Sequence, residues 1–164
     1  MKYLKNLIVI FLLFMGVSVS AETLKAGVSV DLVPDTFYGS WRVAAKVSKQ
    51  SGSMNFRPQT VDFWNLSRSG NVINLSNPFT GAEASVNVDY VEGNMIRFTK
   101  KGSYDFNKIL TDTVDIKLSG DTFTGINSLI LETYSPIDGK LVKTDTAVYI
   151  LKGEKISGTG ITGK

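Results

Sequence analysis

Few residues of this chain of 164 could do covalent or metal chemistry, because it contains neither cysteine nor histidine. Without these side chains there is no disulfide, no thiolate nucleophile and no His-based catalytic triad. Zinc, copper and haem sites also lose their commonest ligands. Any catalysis would have to use carboxylates, Lys, Tyr, Ser or Thr. We therefore expect no metal site and no cofactor.

Two pairs of carboxylates are the remaining candidates for acid–base chemistry: Asp112 with Asp115, and Glu132 with Asp138. Glycoside hydrolysis needs two carboxylates roughly 5–10 Å apart across a cleft. The spacing of these four residues does not separate them from ordinary surface charges. The chain also lacks a phosphate-binding loop and a nucleophile elbow. We therefore predict that the protein is not an enzyme, and we assign no catalytic residue.

Aromatic side chains are better candidates for binding. Phe63 and Trp64 are adjacent in an extended segment, so one faces the core and the other lies on the outer side. Tyr90 shares the alternating apolar face of Val86 and Val88. We predict that Phe63, Trp64 and Tyr90 line a ligand-binding site or the floor that closes it.

The segments that carry these residues have the two-residue periodicity of β-strands. Turns rich in Gly, Pro and Asn separate them at intervals typical of an all-β sandwich or barrel. We expect loops at 50–59 and 101–110, a short helical turn near 107–112, and a bulge at Gly125, where the alternation shifts. Strands are predicted over residues 40–49, 60–67, 72–76, 85–91, 95–101, 113–118, 122–133, 141–152 and 155–157.

The hairpin pattern favours a closed sheet. Closure into a barrel removes the exposed edges of an antiparallel sheet. Tight turns also connect strands most simply when each strand lies beside its sequence neighbour. We therefore predict a single all-β domain, an up-and-down antiparallel β-barrel of about 8–10 strands. A Greek-key sandwich is the alternative.

A G-x-W motif, Gly39-Ser40-Trp41, stands at the entry to the first strand. A glycine there allows a tight turn into the barrel, and the Trp ring can close the barrel floor. This motif resembles the first signature region of lipocalin-like (calycin) barrels. The resemblance covers most of residues 37–157 as a fold, but only Gly39 and Trp41 as residues. It implies an interior cavity for a small apolar molecule, and a basic residue on a late strand over Trp41, for which Lys152 and Lys155 are the candidates.

The first 21 residues predict export. A basic head with Lys2 and Lys5 precedes an apolar run over 7–17, and Val19 and Ala21 occupy the −3 and −1 positions of a cleavage site. The run is shorter than the about 20 residues that a membrane span needs, which favours a cleaved signal peptide over an anchor. We expect a signal peptide at 1–21, an extended segment at 22–36, the β-barrel at 37–157 and a flexible tail at 158–164. The predicted location is periplasmic or extracellular.

The charge balance argues against a nucleic-acid partner. The chain has 18 Lys and Arg against 15 Asp and Glu, and removal of Lys2 and Lys5 with the signal leaves a net charge of +1. Nucleic-acid binding needs a basic patch. An outer-membrane barrel is a third class, but its strands run about ten residues with an apolar outer face. Several predicted strands are shorter, so we expect no stable membrane insertion. The sequence does not indicate an oligomeric state.

These features predict an exported, non-enzymatic β-barrel protein that binds a small apolar ligand in the barrel interior. The alternative is an extracytoplasmic interaction or structural module with a packed core and no ligand cavity. An empty interior would favour the first hypothesis, and a filled core would favour the second.

Overall fold

The computed structural model describes residues 30–158. The predicted signal peptide, residues 22–29 of the extended segment and residues 159–164 of the tail lie outside the described residues. Two short 3₁₀ helices precede eight strands in the described part, and no helix there is long and apolar enough to cross a membrane. The 3₁₀ helices span Val30–Leu32 and Asp35–Phe37, and the strands are β1 Gly39–Ser51, β2 Gln59–Ser69, β3 Val72–Ser76, β4 Glu83–Glu92, β5 Met95–Asp105, β6 Lys108–Ser119, β7 Thr122–Tyr134 and β8 Leu141–Ser157.

The eight strands form one closed antiparallel barrel. Each strand pairs with its sequence neighbour, and β1 also pairs with β8, which closes the sheet. The predicted up-and-down barrel is therefore confirmed, and the sandwich alternative is wrong. Closure satisfies the backbone hydrogen-bonding groups that an open sheet would leave along its two edges.

Several strands are longer than the alternation predicted. Residues 101–105 and 108–112 belong to β5 and β6, which are joined by a turn at Phe106 and Asn107. The predictions of a loop at 101–110 and of a helical turn near 107–112 are therefore wrong. Residues 155–157 continue β8 and do not form a separate strand. A hairpin that extends beyond the core keeps its backbone pairing without the apolar alternation from which strands were predicted.

The strand register departs from strict alternation in β4. A register shift lies between Val88 and Tyr90, so Val88 pairs with Phe98 while Tyr90 pairs with Arg97. This β-bulge turns Tyr90 to the outer face and brings Val91 to the inner one, because one extra residue reverses the facing of those that follow. The sequence placed Tyr90 on the same face as Val86 and Val88, and that prediction is wrong.

Gly125 does not mark a bulge. The pairing of β7 with both of its neighbours runs through this position without a register shift. A Cβ atom at Gly125 would overlap the backbone carbonyl oxygen of Asp115 and crowd Ile116. The glycine therefore allows close approach of β6 and β7, which is the other common reason for glycine within a strand.

The two ends of the barrel differ. We call the end that carries the β2–β3, β4–β5 and β6–β7 turns and the two 3₁₀ helices the base. We call the opposite end the mouth. It carries four loops, at residues 52–58, 77–82, 106–107 and 135–140.

The base half of the barrel is filled with side chains. Phe37, Trp41, Phe98 and Phe123 are each at most 2% exposed. The ring centroids of Phe37 and Phe98 lie 5.8 Å apart, and those of Trp41 and Phe123 lie 5.1 Å apart. Full burial of one such side chain stabilises the fold by roughly 1.5–3 kcal/mol. This cluster therefore closes one end of the barrel and is a large part of its core.

Candidate functional site

The mouth half of the barrel encloses a cavity of about 200 Å³. Every strand contributes to its wall, because inward-facing residues recur at every second position along each strand. The lining residues are Val43, Ala45, Thr60, Asp62, Trp64, Leu75, Ser76, Asn77, Ala82, Glu83, Ala84, Val86, Phe98, Lys100, Asp112, Val114, Asn127 and Leu151.

Aromatic rings form the floor of the cavity. Trp64 lines the cavity and stacks on Phe123 of the packed base, with ring centroids 5.9 Å apart and ring planes at 23°. Its ring also meets Phe98 edge to face, with centroids 6.2 Å apart. These rings are supported from below by the base cluster, so they present a rigid apolar surface to the cavity.

One wall of the cavity is polar. Lys100 of β5 and Asp112 of β6 are directly opposite in the strand register, and both line the cavity. The Asn127 side-chain amide donates a hydrogen bond to the Asp112 carboxylate. Burial raises the pKa of Asp112 above its usual range, while the Asn127 hydrogen bond and the charge of Lys100 oppose this shift. No ion pair joins Lys100 to a carboxylate within residues 30–158.

A second polar pair is formed by Asp62 of β2 and Asn77 of the β3–β4 loop. Asp62 accepts hydrogen bonds from the Asn77 side-chain amide and from the Phe63 backbone N–H, the latter at 2.9 Å. Its carboxylate lines the cavity. With Glu83 at the mouth, the lining residues on the described chain include three carboxylates against one ammonium group. The site can therefore pair with positive charge and accept hydrogen bonds above an apolar floor.

Gly39 and Trp41 lie at the base, below the cavity. Gly39 has a φ of 120°, and a Cβ atom there would overlap the Ser157 carbonyl oxygen, so the tight entry to β1 requires glycine. The Trp41 indole N–H donates to the Phe37 carbonyl oxygen at 2.9 Å. The Lys155 ammonium lies 5.1 Å from the Trp41 ring centroid and donates to the Thr36 carbonyl oxygen at 2.6 Å. Gly39 and Trp41 therefore belong to the closed end of the barrel and do not line the cavity.

The five residues predicted as a site are thus divided among three places. Trp64 lines the cavity, and Gly39 and Trp41 lie in the base. Phe63 faces outward, where its ring contacts Phe79 with centroids 4.6 Å apart. Tyr90 is also on the outer face, is 42% exposed and donates a hydrogen bond to Glu92. A role for these residues in ligand binding stays a prediction.

The carboxylate pairs do not face each other across a cleft. Asp112 faces the cavity, whereas Asp115 faces outward and accepts a hydrogen bond from Arg97 at 2.6 Å. Glu132 lies on β7, whereas Asp138 lies in the β7–β8 loop and pairs with Lys140 at 3.2 Å. Within residues 30–158, no group of three acidic side chains is placed to hold a metal ion.

A buried carboxylate ties down the β1–β2 loop at the mouth. Asp145 of β8 is 1% exposed. It accepts hydrogen bonds from the backbone N–H groups of Ser53 at 2.6 Å and Met54 at 3.0 Å, and it pairs with the Lys143 ammonium at 2.7 Å. The Lys143 interaction, aided by the two backbone N–H groups, holds the pKa of Asp145 below its usual range against the opposing effect of burial.

The folded protein should lose this stabilisation in acid. Since the pKa of Asp145 is lower when folded, its contribution is present above the unfolded value of about 3.9 and declines as pH falls through the folded pKa. We expect Asp145→Asn to be less stable than the unmodified protein at neutral pH, and this difference to shrink in acid. Urea unfolding between about pH 2 and 6 measures it. Lys143→Met should also lose stability at neutral pH, because it removes the partner that contributes most to the lowered pKa of Asp145. Parallel curves for all three proteins would contradict the assignment.

The comparisons with known proteins give no family. No protein-family model matches the chain, and no curated protein matches its sequence. The residues of the site therefore have to be interpreted from their own geometry.

Sequence reasoning missed the polar wall. From the sequence, Lys100 is expected to be a solvated charge near the end of the strand over 95–101, and Asp112 a surface charge in the helical turn near 107–112, because charged side chains are seldom buried. Their inward facing follows from the alternation: Lys100 is two residues after buried Phe98, and Asp112 is two residues before buried Val114. Extending each strand beyond its last apolar residue would have placed both side chains in the interior.

Proposed function

We propose that the protein is a non-enzymatic binding protein that holds a small molecule in the mouth half of the barrel. The observation that carries this proposal is the cavity of about 200 Å³, with Trp64 and Phe98 below and Lys100 and Asp112 at its side. An apolar floor with a few placed polar groups is the common form of small-molecule sites. The packed base offers no such space.

The volume limits the size of the ligand. A cavity of about 150 Å³ is enough for benzene, and pockets for drug-sized molecules run from roughly 300 to 1,000 Å³. At about 200 Å³ the cavity suits a body of one ring, or an aliphatic chain of similar volume. A sterol or a long acyl chain would require the barrel to widen.

The charges refine the expectation of a purely apolar ligand. Asp62, Asp112 and Glu83 outnumber Lys100 in the lining, so the local field favours a positive or hydrogen-bond-donating group. An apolar ligand without polar groups would displace water from these side chains and leave part of their hydrogen-bonding capacity unsatisfied, which costs free energy. We therefore propose a small amphipathic ligand whose ring faces Trp64 and whose amine or hydroxyl faces the polar wall.

The barrel is proposed to be lipocalin-like and exported. The positive φ of Gly39, the full burial of Trp41 and the Lys155 ammonium over its ring support the first part. The second part rests on the signal-like pattern of residues 1–21.

Three one-ring probes test the site: benzylamine, benzyl alcohol and benzoate, titrated with detection by NMR shifts of the Asn127 side-chain amide. We expect benzylamine to bind best. Ala45→Leu, which adds volume inside the cavity, should weaken its binding by about tenfold or more. Ala44→Leu, at the next position and on the outer face, is the matched control and should bind as the unmodified protein does.

The alternative is an interaction or structural module, which the filled base favours. It predicts that none of the probes binds, or that Ala45→Leu and Ala44→Leu bind them equally. Native mass spectrometry of the purified protein adds a second measurement, since a retained ligand would appear as a mass adduct that Ala45→Leu lacks.

A further inference from the structure

Two aspartates on opposite walls of the cavity have the same local arrangement. Asp62 lies on β2 and Asp112 on β6, and these strands are four apart in either direction around the closed barrel. Both side chains line the cavity. Each carboxylate accepts a hydrogen bond from the side-chain amide of an asparagine, Asn77 for Asp62 and Asn127 for Asp112. The cavity is therefore bounded by an Asp–Asn pair on each of two opposing sides.

Each carboxylate keeps one oxygen available to a ligand. The Asn77 amide and the Phe63 backbone N–H both donate to Oδ1 of Asp62. The Asn127 amide donates to Oδ1 of Asp112. Within residues 30–158 the Oδ2 atoms of these two aspartates accept no hydrogen bond, and neither atom is sealed from solvent. Since a carboxylate can accept about four hydrogen bonds, both aspartates can still bind an ammonium group.

The space between the two aspartates has an apolar floor. Trp64 and Phe98 form this floor, and Val43, Val86 and Leu151 add aliphatic surface to the walls. An apolar body gains free energy by leaving water for such a surface. A ligand that reaches both carboxylates therefore needs an apolar body between two polar ends.

The charges of the lining favour two cations over one. The three carboxylates and the single ammonium group of the described lining leave a net charge of −2. Burial raises the pKa of Asp112, and a bound cation would offset this effect by stabilising the ionised carboxylate. Lys100, opposite Asp112 in the strand register, is the one group of this lining whose charge opposes a bound cation. A ligand with two ammonium groups would balance the remaining negative charge.

We propose that the cavity binds a diamine, with one ammonium group at Asp62, the other at Asp112 and an apolar body over Trp64. This inference rests on the proposed function and narrows its ligand from amines in general to those with a cation at each end. A monoamine leaves one of the two carboxylates without a cation. The carboxylate of an amino acid would lie close to Asp62 or Asp112 and be repelled.

Three ligands with the same ring test the proposal: p-xylylenediamine with two ammonium groups, benzylamine with one, and 4-(aminomethyl)benzoate with one ammonium and one carboxylate. We expect p-xylylenediamine to bind about tenfold or more tightly than benzylamine, because it makes a second hydrogen bond between charged groups. The zwitterion 4-(aminomethyl)benzoate should bind more weakly than benzylamine. In NMR titrations, p-xylylenediamine should shift the side-chain amide signals of both Asn77 and Asn127.

Variants of the charged groups assign the two ends. Asp62→Asn and Asp112→Asn should each weaken p-xylylenediamine binding by about tenfold or more. At most one of them should weaken benzylamine binding as strongly, because benzylamine has a single ammonium group. Lys100→Met should strengthen p-xylylenediamine binding, since it removes a like charge. Asp115→Asn, on the outer face of β6, is the matched control and should bind all three ligands as the unmodified protein does. Far-UV circular dichroism shows whether each variant is folded.

The outcomes separate this inference from the proposed function. The diamine proposal alone is overturned if benzylamine binds as tightly as p-xylylenediamine, or if p-xylylenediamine shifts only one of the two amides. It is also overturned if 4-(aminomethyl)benzoate binds best and Lys100→Met weakens its binding, because Lys100 would then hold a carboxylate. If neither benzylamine nor p-xylylenediamine binds, the proposed function fails as well.

Discussion

Trp41→Ala is expected to lower the free energy of unfolding by about 4 kcal/mol, near the upper range for a buried aromatic side chain. The Trp41 side chain is completely buried, and its ring packs against Phe123 at 5.1 Å between centroids. Its removal would leave a cavity in the closed end, a carbonyl oxygen of Phe37 without its donor, and the Lys155 ammonium without its ring. These three losses fall on neighbouring residues of the packed base. We therefore expect the surrounding side chains to fill the new cavity only in part.

Urea denaturation monitored by circular dichroism measures this effect. Val61→Ala, at a side chain 65% exposed on the outer face, is the control and should change stability by no more than about 0.5 kcal/mol. The loss of stability in Trp41→Phe should lie between those of Val61→Ala and Trp41→Ala, because Phe keeps most of the apolar volume but lacks the N–H donor. A loss below about 1 kcal/mol in Trp41→Ala would contradict the assignment of Trp41 to the sealed base.

Gly153→Ala is expected to cost about 2–3 kcal/mol, the range typical of overpacking in a tight core. A Cβ atom at Gly153 would overlap the ring of Phe123, which is itself 1% exposed and held against Trp41 and Trp64. Since the ring lies against both Trp41 and Trp64, any movement that relieves the overlap would disturb these two contacts. The effect is steric, since Gly153 does not have a positive φ.

Gly102→Ala is the matched control. Gly102 is also a strand glycine without a positive φ, and a Cβ atom there would meet nothing within 4 Å. Its replacement should leave stability unchanged or raise it by roughly 0.4–1 kcal/mol through the unfolded state. Phe123→Leu combined with Gly153→Ala should cost less than the sum of the two single changes, because the smaller side chain relieves the overlap. Additive costs would show that Gly153 and Phe123 do not share one packed space.

The architecture could be predicted from the sequence because turns and alternation agree along most of the chain. Residues 113–118, for example, place Val114, Ile116 and Leu118 on one face, and all three are buried in β6. The alternation of apolar and polar residues is lost where a strand extends beyond the core, because side chains there are not buried. In the hairpin around Phe106 and Asn107, backbone pairing continues beyond the core, and the residues carry no apolar pattern that would reveal it.

The errors within the site have a different origin. A strictly alternating pattern does not reveal a β-bulge. One extra residue near Asp89 therefore places Tyr90 on the outer face, although alternation predicts the inner one. The polar wall was missed because apolar character was used to decide which face is inside. Lys100 and Asp112 violate that rule, and such local violations are most common where a protein binds something.

The strands of the barrel differ in length, so neighbouring strands are held by different numbers of backbone hydrogen bonds. The cavity therefore has a second possible entrance, through the barrel wall, besides the mouth. β3 has 5 residues, whereas β7 and β8, on the far side, have 13 and 17. Leu75 and Ser76 of β3 and Ala84 of β4 belong to the cavity wall. The shortest strand pairing of the barrel, β3 with β4, therefore borders the cavity in which a ligand would lie. Fluctuations that separate β3 from β4 need to break few backbone hydrogen bonds. Such an opening would let a ligand enter or leave through the side of the barrel while the aromatic base remains closed.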